Sequence, residues 1–257
     1  MPTRDRPPVP EFVRLAGHDL RWRLLHELAH SDRRVRELVT AIDEPQNLIS
    51  YHLGKLRGAG LVTIRRSSAD RRDIYYHLDL TRCARFLAGA AVALHPGLAH
   101  ERIPTPRLVR PVRVLFLCTG NSARSPMAAA LLRHRAGSRV EVLSAGSDPK
   151  PLHPHAIRAL GGYGIDLTGH RPRHLTTYTH RRFDYVISLC DRLREVCPEF
   201  PHSPDLIHWS IANPTDADTE DAGTPAAFRR TAAELDTRIQ FLIAVLNDPT
   251  QHRREPQ

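Results

Sequence analysis

At 257 residues the chain is long for one compact domain and comfortable for two. It is 41% hydrophobic, has no apolar run near the ~20 residues a membrane span needs, and lacks the apolar core of a secretion signal at its N-terminus, so a soluble, cytoplasmic protein away from membranes is expected. Four cysteines are too few to staple a chain of this size, which directs attention to catalytic or redox-active thiols. The formal charge of +9 is unevenly spread: residues 1–110 carry 19 Lys+Arg against 12 Asp+Glu, and the remainder 18 against 16. The excess therefore lies where it can meet a polyanion such as DNA, although all but two of the basic residues are arginine, a bias that weakens charge as evidence by itself.

The first third reads as helices followed by a hairpin. "LRWRLLHELAH" puts Leu20, Leu24, Leu25 and Leu28 on one face, and "RVRELVTAI" does the same with Val35, Leu38 and Ile42. "DEPQNLISYHLGKLRGAG" predicts a third helix that starts near Asp43 or Glu44, stops at Gly58 or Gly60, and turns Ile49, Leu53 and Leu56 inward. "LVTIRR" and "DIYYHLDL" are β-type runs joined by the polar loop Ser67–Arg72, and "TRCARFLAGAAVAL" is a closing helix. This order is that of an α+β winged helix-turn-helix spanning residues 1–94. With the apolar stripe inward, Gln46, Asn47, Ser50, Tyr51 and Lys55 project from the recognition helix, where amides suit adenine and the lysine suits guanine or phosphate. Arg65, Arg66, Arg71 and Arg72 lie on the wing, suited to the sugar–phosphate backbone of double-stranded DNA.

The stretch "LISYHLGKLRGAGLVTIRR", within residues 11–94, resembles the ArsR-type transcriptional regulators. The resemblance implies a DNA-binding homodimer on a palindromic operator. Many such regulators sense metals through a cysteine pair on the helix before the recognition helix; "RVRELVTAI" has none, and Cys83, alone in the closing helix, reads as a small buried apolar residue. None of the 16 histidines, His153/His155 and His170/His174 included, pairs with cysteine at a zinc-like spacing, so no metal site is expected.

"LHPGLAHERIPTPRLVRP" contains four prolines and little periodicity, and residues 95–111 are read as a linker. Beyond it, residues 112–257 alternate strand and helix. "VRVLFL", "VEVLSAG" and "FDYVISLC" read as strands, while Ser125–Arg135, "HPHAIRALGGYG" and "PAAFRRTAAELDTRIQFLIAVL" read as helices, the signature of an α/β parallel sheet. In such a sheet the loop from the first strand into its helix lies at the ligand-binding edge. That loop is Cys118-Thr119-Gly120-Asn121-Ser122-Ala123-Arg124, followed by Ser125. Its amides and the helix N-terminus can converge on an anion, Gly120 allows a tight turn, and Arg124 supplies a planar fork for two oxygens. The same field favours a thiolate at Cys118, and Ser125 is placed to hydrogen-bond its sulfur.

"CTGNSARSP", with "SAGSDP" and "GIDLTGHRPRHL" further on, resembles the low-molecular-weight protein tyrosine phosphatases and the arsenate reductases that share their fold. "LCDRLREVCPEFP" carries Cys190 and Cys197 in the Leu-Cys-x6-Cys-Pro form of thioredoxin-coupled arsenate reductases. The resemblance implies that Cys118 attacks arsenate, Cys190 forms the first disulfide, and Cys197 resolves it for thioredoxin or another thiol reductant, with no bound cofactor. Two positions depart from the family pattern. Asn213 stands before Pro214 where an aspartic acid assists proton transfer, and an amide cannot donate a proton as a general acid. Ala123 stands where some reductases have a further cysteine. The expectation is a DNA-binding regulator fused to an arsenate reductase, in arsenic resistance. The alternatives are a tyrosine phosphatase, disfavoured by the absence of aromatic residues in "ANPTDAD", or an oxyanion or redox sensor without turnover, favoured by Asn213.

Overall fold

A computed structural model describes residues 9–95, 98, 112–137, 140–195, 198–201, 204–216 and 222–246. It divides into two compact units. Cys197 and nearly all of the 95–111 linker lie outside the described residues.

In the N-terminal unit, α1 (Glu11–Ala16), α2 (Asp19–His30), α3 (Val35–Ile42) and α4 (Gln46–Gly58) precede the hairpin β2 (Val62–Arg66) and β3 (Ile74–Leu78), and α5 (Leu80–Leu94) closes the unit. The stripes read from the sequence form the core: Leu20, Leu24, Leu25, Leu28, Leu38, Ile42, Ile49, Leu53 and Leu56 are all buried. The recognition helix begins later than its acidic residues suggest. Asp43 instead ends α3 in a left-handed conformation, with φ at 56°, and Pro45 is the N-cap of α4. Asp is among the few non-glycine residues that tolerate that conformation, so it turns the chain between the two helices. The sheet also has a third strand, β1 (Arg33–Arg34), which pairs antiparallel with β3 through Arg33–Tyr76 and Arg34–Tyr75. A two-residue strand of arginines carries no apolar alternation from which to read it.

In the C-terminal unit four parallel strands run in the order β5-β4-β6-β7: β4 (Val112–Cys118), β5 (Val140–Gly146), β6 (Tyr185–Ser188) and β7 (Asp205–His208). Helices α6 (Arg124–Ala136), α7 (Pro154–Gly161), α8 (Asp191–Glu195) and α9 (Pro225–Leu246) complete it. Strand β4 is apolar throughout its inner half because both of its faces are covered. Val112, Val114, Phe116 and Cys118 pack with residues of α6, α7 and α9, including Met127, Leu160 and Phe228. Leu115 and Leu117 pack on the other face with Phe183, Val186, Cys190, Leu193 and Phe200. Strand β7, short and with Leu206 65% exposed, escaped the sequence reading.

Candidate functional site

The segment Cys118–Ser125 leaves the C-terminal edge of central strand β4 and enters α6, whose N-cap is Ala123. The loop is shaped from outside. The carbonyls of Thr119, Gly120 and Ser122 accept hydrogen bonds, each 2.9 Å, from the amides of Asp148, Lys150 and His153. Because each peptide is planar and trans, the N–H groups that follow these carbonyls turn away from the 148–153 segment. They join the unpaired first-turn amides of α6 as donors for an anion. The left-handed residue that closes the turn is Asn121, with φ at 43°, rather than Gly120. Asn is one of the side chains that visits this region readily.

Asn121 is also the hub of the site. Its Nδ2 donates to Ser125 Oγ at 2.9 Å and to Ser144 Oγ at 3.0 Å, while its Oδ1 accepts from the Arg173 amide at 2.9 Å and lies 3.3 Å from His170 Nε2. Gly146, at the end of β5, comes equally close: a Cβ there would lie 2.4 Å from the Thr119 carbonyl and 2.8 Å from the Asn121 amide nitrogen. The glycine of "SAGSDP" is thus required by a close approach between segments distant in sequence.

Cys118 is 2% exposed, with its sulfur 3.0 Å from Ser125 Oγ. Arg124 is buried too, and its Nη1 donates to the carbonyls of Leu189 and Ile211 at 3.3 and 3.1 Å, which anchors the guanidinium between the ends of β6 and β7. Cys118, Arg124, Cys190, Lys150, Asn213 and Asp216 line one pocket. The sulfur of Cys190 is 3.2 Å from the Thr119 hydroxyl. The two described candidate thiols therefore reach one pocket from opposite faces of the sheet. Asn213 uses its Oδ1 within its own turn, 3.1 Å from Thr215 Oγ1, so it closes the loop that also carries Asp216. Lys150 was missed as a pocket residue because loop side chains carry no periodicity that aims them.

A buried polar pair follows Cys190. His208 Nε2 is 3.0 Å from Asp191 Oδ1, and His208 Nδ1 is 2.8 Å from Ser188 Oγ. Burial raises the Asp191 pKa, but hydrogen bonds from His208, the Ser68 amide and Ser210, with the charge of His208, outweigh it and hold the carboxyl down at about 2. Among the described residues no group of three or more His, Cys, Asp or Glu is placed to hold a metal. Cys83 is buried, and that burial first, then the negative charge of Asp79, push its thiol up to about 11, as for an inert apolar cysteine.

On the N-terminal unit, Gln46, Asn47, Ser50, Tyr51 and Lys55 are all exposed on α4. Lys55 Nζ sits 5.3 Å from the Tyr51 ring centre, which holds the two side chains together. On strand β2 Arg66 is exposed and Arg65 is partly covered; Arg71 and Arg72 are exposed on the tip Ser67–Arg72, which groups with the second unit, and the Arg72 guanidinium is already paired with Asp70 at 2.9 Å. His52 is buried on the inner side of α4 with its ring 4.4 Å from that of His18. No helix among the described residues is long and apolar enough to cross a membrane.

Residues 113–252 match the low molecular weight phosphotyrosine protein phosphatase family, and residues 18–63 match the bacterial regulatory protein, arsR family. An arsenate reductase of Halalkalibacterium halodurans is 33% identical over 127 residues, 49% of this chain and 91% of that protein. An arsenate reductase of Bacillus cereus is 32% identical over 127 residues, 49% of this chain and 90% of that protein. A solved arsenate reductase in a phosphate-binding state is 27% identical and covers 52% of this chain and 98% of its own, with a TM-score of 0.47.

Proposed function

We propose, for a chain that belongs to the low molecular weight phosphotyrosine protein phosphatase family and carries an arsR-family segment ahead of that domain, a DNA-binding regulator fused to an arsenate reductase. The observation that carries the reductase reading is the pocket shared by Cys118 and Cys190, with the Cys190 sulfur against Thr119 of the oxyanion loop. A phosphatase has no use for a second thiol there. An arsenate reductase needs one, because arsenic must leave with two more electrons than it brought.

The Cys118 thiolate attacks arsenate and displaces water, giving a sulfur–arsenic(V) bond within the loop, with the oxygens held by loop amides and Arg124. Cys190 then attacks the Cys118 sulfur. The S–As bonding pair departs with arsenic, which leaves as arsenic(III), and a Cys118–Cys190 disulfide forms. Cys197 attacks Cys190, releases Cys118 and leaves a Cys190–Cys197 disulfide for thioredoxin or another dithiol to reduce. The N-terminal unit presents Gln46, Asn47, Ser50, Tyr51 and Lys55 to the major groove and the arginine-bearing wing to phosphates, as one half of a homodimer in the cytoplasm.

The second reading is a phosphatase, favoured by Asp216, which lines the pocket beside Asn213 and supplies a carboxyl where the usual acid position has an amide. Thioredoxin-coupled NADPH consumption with arsenate separates the two, run on wild type, Cys190→Ser and Cys197→Ser with aryl phosphate hydrolysis alongside. Arsenate turnover lost in both variants supports the reductase. Aryl phosphate turnover that survives both substitutions, without arsenate turnover, supports the phosphatase. Silence in every assay supports a sensor domain.

A further inference from the structure

A second pocket of the C-terminal unit, of about 380 Å³, does not include Cys118 or Arg124. Arg133 from α6, and Arg171 and Arg173 from the segment after α7, line it together with His170. Among the described residues none of these three arginines has an ion-pair partner: Arg133 donates to the Val142 carbonyl at 2.9 Å, and Arg171 reaches only the carbonyls of Thr168 and His170 at 3.4 Å. The single carboxylate in the lining, Asp166, is occupied by Thr168, whose amide and hydroxyl donate to it at 2.8 and 2.7 Å. All three arginines are exposed, and each lies close enough to His170 to act on its charge. His170 is held below its ordinary pKa, first by burial and further by Arg133, Arg171 and Arg173, against a hydrogen bond to Asn121 that raises it.

Three guanidiniums around one concavity repel each other, and the repulsion is relieved by an anion that accepts from their forks. We propose that this pocket is a second oxyanion site, separate from the Cys118 loop, that takes a doubly charged tetrahedral anion of the sulfate or phosphate kind. The wall of the site is tied to the loop through one side chain, since His170 and the Arg173 amide both meet Asn121 Oδ1.

The test is an amide-resolved NMR titration of the full chain with inorganic sulfate, with chloride at matched ionic strength as the control. The expected result is two saturating sets of shifts, one at Gly120–Ser122 and one at Gly169–Arg171. In Arg171→Ala/Arg173→Ala the second set should need about tenfold more sulfate or higher, the scale of one lost charge-assisted hydrogen bond, while the loop amides still saturate. Arg133→Gln gives the same reading should the double variant fold poorly. Glycerol 2-phosphate in place of sulfate identifies the source: tighter saturation of the pocket amides assigns the site to an esterified phosphate, and weaker saturation to the free ion. Pocket amides that drift linearly and equally with chloride overturn the proposal, as does saturation unchanged in both arginine variants.

Discussion

The Ser125 hydroxyl lies 3.0 Å from the Cys118 sulfur, and both residues are buried. Asn121 Nδ2 can only donate, so Ser125 Oγ accepts from it and keeps its own proton for Cys118, or at 3.4 Å for the Ala145 carbonyl. The shorter contact favours the sulfur, and a hydroxyl donated to sulfur favours the thiolate. Ser125→Ala should therefore slow Cys118 alkylation by iodoacetamide at neutral pH by about tenfold, the size of one hydrogen bond to a charged group. Cys83, pushed up to about 11, should stay unlabelled at pH 8 and serve as an internal control. An unchanged alkylation rate would remove Ser125 from the activation of the thiol.

Gly146→Ala tests the fit between β5 and the loop. Its Cβ would meet three backbone atoms, the Thr119 and Cys118 carbonyl oxygens at 2.4 and 2.9 Å and the Asn121 nitrogen at 2.8 Å, none of which can swing aside as a side chain would. The variant should lose about 3 kcal/mol or more, at or beyond the upper end of ordinary overpacking. Wild type should melt higher with phosphate, and the variant should not. Normal melting with normal phosphate stabilisation would show that the strand end gives way more easily than its contacts imply.

Acid should weaken the C-terminal unit through Asp191. Its carboxyl is held at about 2 against an ordinary 3.8, so the folded state favours the charged form. The stability this contributes is complete above the ordinary value and is lost as pH falls from about 4 towards 2, amounting to roughly 2 kcal/mol. Urea midpoints followed through buried Trp209 should fall across that window in wild type and change less in Asp191→Asn. Parallel curves would place the acid sensitivity elsewhere.

The recognition helix offers a separation of roles. Gln46→Ala and Asn47→Ala should each cost about 1–3 kcal/mol on the cognate operator and little on unrelated DNA. Lys55→Ala, if it removes a phosphate contact, should weaken both and lower the salt slope by about one. Fluorescence anisotropy over a salt series separates these outcomes, and equal losses on all sequences from Gln46→Ala would take it out of base readout.

Much of this was legible before the structure. The leucine spacing of α2 and α4 placed the core of the N-terminal unit because helical periodicity is written locally, and the run Val112–Cys118 marked a strand covered on both faces. The anion loop was legible because its residues are contiguous. What supports that loop was not: Asn121 meets His170 and Arg173, and Gly146 meets Thr119, through contacts between segments distant in sequence. Gly120 was a fair expectation for the turn, but Asn121 took the positive φ because its side chain is needed there for four polar contacts. Strands β1 and β7 were missed because two arginines, or a short run with an exposed leucine, carry no alternation.

The strand order β5-β4-β6-β7 has a consequence for synthesis on the ribosome. The strand that carries Cys118 is the first of the four to be made, yet both of its neighbours come later, and its pairing with β6 ends at Leu117–Ser188. About 70 further residues must be added before that partner exists, roughly 4–14 s at ~5–20 residues per second. Arg124 must wait longer still, because the Ile211 carbonyl that anchors it follows β7. The segments that shape the loop, up to Arg173, therefore exist well before the carbonyl that anchors Arg124, and that anchor arrives only after Cys190 has been translated.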